Sequence, residues 1–257
     1  MPSPLQHFLL SILSLGAVCA EAREIKMVTL NWPPFYGEKL PDGGPLTELA
    51  TEAFRRAGHT ASIEFLPWTR ALEEVKKQRA DIVLGAYYNH ERARHYHYSQ
   101  PMLKVNVGLV ANSEARLTQY SSLRDLTAYR IGVCKNFVNS PAFDNAGYLQ
   151  KDVAKNQILN IRKLQRDRVD MIAVSFEVFR YEDGKMHDQH PEQSHVFIKP
   201  LLSQQALHLM MAKSIPDHQS IINDFNKAFQ EMRNDGTYLK ILKKHKLDHS
   251  SAIPDPP

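Results

Sequence analysis

The sequence predicts an α/β protein, because short apolar runs alternate along the chain with segments of helical periodicity. The 257 residues are 43% hydrophobic and 23% charged, with two cysteines and a mean hydropathy of -0.41. This is the composition of a soluble protein, which excludes collagen-like, low-complexity and polytopic membrane proteins. The length allows one large domain or two small ones, with enough residues to bury a core.

Residues 1–22 are typical of a cleaved secretory signal. An apolar run that begins at Phe8 is too short to span a bilayer, and small residues follow it where a signal peptidase requires them. Cleavage after Ala20 and cleavage after Ala22 both fit the pattern, and a buried first helix is the alternative. We expect a periplasmic mature chain in which Cys134 is the only thiol, so that no internal disulfide forms.

The first part of the mature chain predicts strand, helix, strand, helix and strand in that order. The first strand, 26–30, is followed by a pair of prolines that stop further pairing. Apolar residues three or four apart indicate a helix over 46–57, and a glycine ends it. A strand at 63–66, an amphipathic helix over 68–75 and a strand at 80–85 complete the unit. Crossovers in such units are right-handed around a parallel sheet.

The later part of the chain repeats this pattern. Buried strands are predicted at 130–134 and 170–174, and we interpret the apolar run 157–161 between them as another strand. Apolar residues at helical spacing over 221–232 predict one long helix. Residues 248–257 contain three prolines and almost nothing apolar, so we expect a disordered tail there.

Two extended segments, 105–111 and 197–207, are candidates for crossings between two halves of the chain. If the chain leaves the first lobe along one segment and returns along the other, both segments act as hinge strands. A ligand would then bind in the cleft between the lobes.

Several motifs follow one another in a recognisable order. They are Asn31-Trp-Pro-Pro-Phe35, Pro67-Trp-Thr-Arg-Ala-Leu72, Arg79-Ala-Asp-Ile-Val83, Gly85-Ala-Tyr-Tyr-Asn-His-Glu-Arg-Ala93, Tyr98-Ser-Gln-Pro101 and Met232-Arg-Asn-Asp-Gly-Thr-Tyr238. Their joint order resembles family 3 of the bacterial extracellular solute-binding proteins, the amino-acid-type receptors of ABC importers. The likeness covers nearly the whole mature chain.

The resemblance implies an α/β fold of the type II periplasmic binding protein kind, with two α/β lobes joined by two hinge strands. Lobe 1 would comprise residues 23–108 and 203–247, and lobe 2 would comprise residues 109–202. The resemblance also implies that the lobes close on a small ligand.

The resemblance further implies particular binding residues. The family's carboxylate-binding arginine matches Arg92, whose planar guanidinium can take both oxygens of a carboxylate. Tyr87 falls where the family often has a hydroxyl donor, and Trp32 and Trp68 fall where it places aromatic walls. From periodicity alone, Trp68 also fits a core position, and Arg92 also fits a surface position at a helix start.

Two segments depart from the family pattern. Where the family usually has an aspartate that pairs with the ligand's amino group, this chain has Ser175, and the acid Glu177 follows two residues later. The first loop of lobe 2 runs from Lys135 to Ser140 through Asn136 and is bulkier than the family's Gly followed by Ser or Thr. We expect Asn136, Ser175 and Glu177 to contact the ligand. We also expect the ligand to differ from an ordinary zwitterionic amino acid.

The sequence predicts no cofactor and no metal. His90, His95 and His97 offer ring nitrogens, but a metal site needs three or four converging ligands. Cys134 lies at the end of an apolar strand and is interpreted as a core thiol. The net charge of +4 comes from interspersed residues, 32 basic and 28 acidic, which does not indicate a nucleic-acid partner.

The sequence therefore predicts a monomeric periplasmic protein that binds a small carboxylate-bearing solute without transforming it. A membrane ABC permease or a sensor would recognise the loaded form. The alternative is a periplasmic enzyme on the same fold, similar to cyclohexadienyl dehydratases, with Glu177 as the nearby acid or base. No nucleophile elbow, metal motif or glycine-rich phosphate loop is found in the sequence.

Overall fold

The computed structural model describes residues 23–114, 117–187, 194–247 and 251–253. The predicted signal segment, 1–22, lies outside these residues. The strands are β1 (Glu24–Thr29), β2 (Thr60–Phe65), β3 (Ile82–Tyr87), β4 (Tyr96–Tyr98), β5 (Leu103–Asn112), β6 (Arg130–Cys134), β7 (Gln150–Ala154), β8 (Met171–Ser175) and β9 (His195–Ala212). The helices are α1 (Pro45–Arg56), α2 (Trp68–Lys76), α3 (His90–Ala93), α4 (Pro141–Asn145), α5 (Gln157–Leu164), α6 (Phe176–His187), α7 (His218–Asn234) and α8 (Thr237–Lys244).

One mixed sheet carries these strands in the order β2-β1-β3-β9-β5-β8-β6-β7, and β4 pairs with β9. Strand β1 pairs in parallel with β2 and β3, and β6 pairs in parallel with β7 and β8. Helices α1 and α2 connect the first parallel group in the predicted order. The α/β fold class is therefore confirmed.

The long antiparallel strands β5 and β9 join the two parallel groups. Residues 207–211 of β9 pair with β3, and residues 107–111 of β5 pair with β8. The two strands also pair with each other, with a register shift between Val107 and Leu109. Strand β5 contains the segment 105–111 and β9 contains the segment 197–207, the two candidates for crossings between the halves of the chain.

Each parallel group has apolar packing of its own. The largest cluster places α1, α2, α7 and α8 against β1 and β3, with the rings of Phe54 and Phe225 centred 5.0 Å apart. Alternate residues of β8 enter two smaller clusters, one around Phe143 and one around Phe179. Each of these fully buried rings contributes about 1.5–3 kcal/mol of apolar burial.

The expectation of a strand at 157–161 is wrong, because these residues begin α5. Asn156 Oδ1 accepts a hydrogen bond from the Leu159 backbone N–H at 3.0 Å and caps the helix. The helix buries one face, made of Gln157, Asn160, Ile161 and Leu164. The strand in this part of the chain is β7, whose exposed and polar residues lie at the sheet edge and form no apolar run.

Residues 251–253 do not belong to a disordered tail. Ser251 is fully buried, and the backbone N–H of Ile253 donates to the Tyr238 hydroxyl at 3.0 Å. Tyr238 belongs to α8, a helix that the sequence analysis did not predict. The rest of the expected tail, 248–250 and 254–257, lies outside the described residues. None of the described helices is long and apolar enough to cross a membrane.

Candidate functional site

A cavity opens near the carboxyl ends of β1 and β3, with about 340 Å³ of empty space that includes open solvent. Ligands commonly bind outside these ends in open α/β sheets. The cavity is lined by Leu30, Trp32, Tyr36, Trp68, Gly85, Tyr87, Arg92, Asn136, Phe137 and Val138. Five of the seven predicted site residues are among them, and the two that do not line it are Ser175 and Glu177.

One wall of the cavity is aromatic. Trp32 is 5% exposed, and its ring lies 5.2 Å from that of Phe35, 5.7 Å from that of Tyr36 and 6.0 Å from that of Tyr87. The Trp32 indole Nε1–H donates to Gln157 Oε1 at 3.2 Å, at the start of α5. Trp32 therefore belongs to the wall and also links the first parallel group to the second.

Tyr36 and Gly85 form a part of the wall that the sequence analysis missed. Gly85 has a φ of +81°, and a Cβ there would lie 2.5 Å from Cε1 of Tyr36. The Tyr36 hydroxyl donates to the Gly85 carbonyl at 3.4 Å. Only glycine allows the phenol to lie this close to β3. A lone glycine inside a predicted strand was the available signal, because it marks a bulge or a close approach.

Arg92 projects from the short helix α3. Asn89 Oδ1 accepts a hydrogen bond from the Arg92 backbone N–H at 2.9 Å and caps that helix. The half-buried guanidinium donates through Nη2 to the Asn136 carbonyl oxygen at 3.2 Å, and its Cζ lies 6.0 Å from the centre of the Trp68 ring. Among the described residues, no carboxylate pairs with Arg92. Its charge is therefore available to an anion in the cavity.

The loop after β6 closes the opposite side of the cavity. Asn136 has a φ of +64°, and its Nδ2 lies 3.4 Å from Thr69 Oγ1 on α2. The Phe137 ring meets the Trp68 ring nearly edge to face, with centres 6.2 Å apart. The two halves of the molecule thus touch across the cavity. Trp68 Nε1 is buried here and has no hydrogen-bond partner among the described residues.

Ser175 and Glu177 lie at the junction of β5, β8 and α6 instead of in the cavity lining. The buried Ser175 hydroxyl donates to Glu177 Oε2 at 2.8 Å. Asn106 donates to Glu177 Oε1 through Nδ2 at 2.8 Å, and its backbone N–H lies 3.3 Å from both carboxylate oxygens. Neither residue lines the cavity in this structure, and their contact with a ligand stays a prediction. Asn106, which fixes the acid, was not identified from the sequence.

The two cavity tyrosines stay protonated at neutral pH. Burial raises the pKa of Tyr36 well above its ordinary value. Burial also raises the pKa of Tyr87, and the negative charge of Glu177 acts in the same direction. Both phenols therefore remain neutral hydroxyls that can donate hydrogen bonds.

A family model for bacterial extracellular solute-binding proteins, family 3, matches residues 26–248. The chain belongs to this family. The resemblance drawn from the sequence motifs is thereby confirmed, and so is the type II periplasmic binding fold. A comparison with curated proteins gives no match.

Solved structures share the fold of this family 3 protein. A histidine kinase sensor domain with similarity to periplasmic binding proteins aligns with a TM-score of 0.77 at 17% identity, over 91% of this chain and 99% of its own. An arginine transport system periplasmic binding protein from Legionella pneumophila gives 0.73 at 20% identity, over 87% and 100%. The substrate-binding protein of an amino acid ABC transporter gives 0.70 at 18% identity, over 86% and 98%. At these identities the likeness establishes the fold.

Two other features of the family 3 protein, a cluster of potential metal ligands and the thiol of Cys134, are explained by their surroundings. Asp42, Glu48 and His245 lie close enough together to hold an ion, but Lys244 Nζ lies 2.8 Å from both carboxylates and already balances them. Burial raises the pKa of Cys134 to about 12, so this thiol stays protonated in the core.

Proposed function

We propose that this protein captures a small carboxylate-bearing, amino-acid-like solute in the cavity between two lobes. Lobe 1 comprises residues 23–108 and 203–247, and lobe 2 comprises residues 109–202. The observation that carries the proposal is Arg92, a half-buried cation in an aromatic cavity with no carboxylate paired to it among the described residues. An arginine that faces an aromatic cavity without a paired carboxylate can take both oxygens of a ligand carboxylate in charge-assisted hydrogen bonds.

Binding would replace one contact of Arg92 with a stronger one. In this structure Arg92 Nη2 donates to the neutral Asn136 carbonyl oxygen at 3.2 Å. A ligand carboxylate can take that position and accept two parallel N–H bonds, which are shorter and stronger because both partners are charged. The Trp32 and Trp68 rings would then cover the body of the solute.

Closure of the lobes would be stabilised by contacts that cross the cavity. Trp32 donates to Gln157, and the ring of Trp68 contacts that of Phe137. A ligand that touches both sides adds to these contacts only in the closed form, so it shifts the population towards closure. A membrane ABC permease or a sensor in the periplasm would recognise that form. The solved relatives include a transporter component and a sensor domain, which supports both partners.

The enzyme alternative lacks its proposed catalytic group at the cavity. A dehydratase needs a positioned acid or base beside the substrate. Glu177, the candidate, has both oxygens engaged by Asn106 and Ser175 outside the cavity lining. This geometry favours binding without turnover.

Thermal-shift screening tests the proposal. Amino acids, dicarboxylates and simple carboxylates are added to the purified protein, and a solute that binds only the folded state raises the melting temperature. Arg92→Gln should abolish the shift or weaken binding about tenfold to a hundredfold, because hydrogen bonds to charged groups contribute about 1.5–3 kcal/mol.

Arg94→Gln is the matched control, because this neighbouring arginine is exposed and does not line the cavity. It should keep the full shift. Carboxylate binding that survives Arg92→Gln, or a screen in which no carboxylate stabilises the protein, would show that the proposed site is wrong.

A further inference from the structure

Charge in the cavity is unbalanced. Among the described residues that line it, Arg92 supplies a positive charge and none carries a carboxylate. Tyr36 and Tyr87 add no negative charge, because burial raises the pKa of both phenols. A solute therefore meets one fixed cation and no fixed anion. An ammonium group taken into such a site loses its hydration without gaining an opposite charge.

The acid whose charge acts on the cavity is not free to accept an ammonium group. Glu177 influences Tyr87, but its carboxylate accepts hydrogen bonds at 2.8 Å from Asn106 Nδ2 and from the Ser175 hydroxyl. These bonds hold it at the junction of β5 and β8. A ligand ammonium group could reach Glu177 only by breaking them, which would leave buried polar groups without partners.

The lining of the cavity includes several N–H donors. Trp68 Nε1–H is buried and has no acceptor among the described residues. Arg92 has further N–H groups beyond the one that bonds Asn136. The Asn136 side-chain amide adds another donor, 3.4 Å from Thr69 Oγ1. A carboxylate is an acceptor and satisfies such a set, whereas an ammonium group is a donor and does not.

The walls favour a flat apolar body. Trp32 and Tyr87 meet at 72° with ring centres 6.0 Å apart, and Trp68 and Phe137 meet at 70° with centres 6.2 Å apart. Pairs of rings in this arrangement offer both faces and edges to a third ring.

We propose that the solute is an aromatic or similarly flat monocarboxylate that lacks an α-ammonium group. This inference rests on the proposed function and specifies the ligand class of the same cavity. The carboxylate lies on Arg92, the ring lies between Trp32 and Trp68, and no cationic group is accommodated.

Calorimetric titration with a matched pair of compounds tests this ligand class. 3-Phenylpropionate and L-phenylalanine share one carbon skeleton and a carboxylate, and they differ in the α-ammonium group. We expect 3-phenylpropionate to bind at least about tenfold more tightly, because one unpaired buried polar group suffices for such a difference. 3-Phenylpropanamide keeps the ring and removes the negative charge, so it should not bind measurably.

The possible results separate this inference from the proposed function. If L-phenylalanine binds as tightly as 3-phenylpropionate, and Arg92→Gln weakens both, the inference is overturned and carboxylate capture stands. The same holds if a zwitterionic or cationic amino acid such as L-arginine binds through Arg92 while 3-phenylpropionate does not. If no carboxylate binds, both proposals fail. If 3-phenylpropanamide binds as well as the acid, the assignment of the carboxylate to Arg92 fails.

Discussion

Gly85→Ala is expected to destabilise the protein and to deform the cavity wall. The φ of +81° at Gly85 lies in a region that costs other L-residues about 1–2 kcal/mol. A Cβ there would also lie 2.5 Å from Tyr36 Cε1 and 2.7 Å from its hydroxyl oxygen, and relief of such overpacking costs about 1–3 kcal/mol. The free energy of unfolding should therefore fall by about 2–5 kcal/mol.

Gly184→Ala is the matched control, and we expect it to raise the free energy of unfolding instead of lowering it. Gly184 lies within α6, where nothing stands within 4 Å of an added Cβ. Alanine there should stabilise the helix by about 0.5–1 kcal/mol. Urea-induced unfolding, followed by tryptophan fluorescence, measures both changes in one host protein.

The comparison of the two variants can refute the reasoning. If Gly85→Ala lowers the free energy of unfolding by less than about 1 kcal/mol, Tyr36 can move away without cost and does not form a fixed wall. If the Tyr36 wall is fixed, Gly85→Ala also weakens carboxylate binding by displacing that side chain into the cavity, and Gly184→Ala leaves binding unchanged.

Three further predictions concern the cavity and the surface. Asn136→Asp adds a carboxylate to the lining of the cavity that contains Arg92, so it should weaken carboxylate binding about tenfold or more in a calorimetric titration. Gln157→Leu removes the acceptor of the hydrogen bond that crosses the cavity, so affinity should fall about tenfold and X-ray scattering should show a larger radius of gyration. Hydrogen bonding from Arg55 lowers the pKa of Glu52 from 4.5 to about 2, so its stabilisation is present above pH 4.5 and is lost as pH falls towards 2. Glu52→Gln should therefore flatten the pH dependence of the unfolding free energy across that range.

Each of these predictions has a result that contradicts it. Unchanged carboxylate affinity in Asn136→Asp would place the anion away from Arg92. Unchanged scattering in Gln157→Leu would mean that the crossing hydrogen bond does not hold the closed form. A pH profile for Glu52→Gln that matches the parent protein would show that this carboxylate has the same pKa in the folded and unfolded states.

The sequence predicted elements whose local signals agree with their tertiary surroundings. Helix α1 combines apolar residues at helical spacing with a glycine after its end, and α7 has the same periodic pattern. The run 157–161 was wrongly predicted to be a strand because its apolar residues are few and close together. The hydrogen bond from the Leu159 backbone N–H to Asn156 caps a helix there instead. Strand β7 gave no signal because an exposed edge strand needs no alternating apolar face.

The candidate site was partly predictable for a similar reason. Trp32 follows the end of a predicted strand, and parallel strands bring such ends together. Tyr87 and Arg92 were identified through the resemblance to the family, and both line the cavity. Tyr36 and the hydrogen bonds from Asn106 could not be predicted, because they depend on how distant segments pack. The same dependence moved Glu177 out of the cavity lining, since its partners lie on another strand.

A crystal structure with 3-phenylpropionate bound would test the central claim most directly, which is that Arg92 holds the carboxylate of the solute. We predict both carboxylate oxygens at about 2.7–2.9 Å from the guanidinium nitrogens of Arg92. The Asn136 carbonyl should no longer accept from Nη2, and the ring of the ligand should lie between Trp32 and Trp68. A carboxylate bound to another group, or a ligand outside this cavity, would contradict the account.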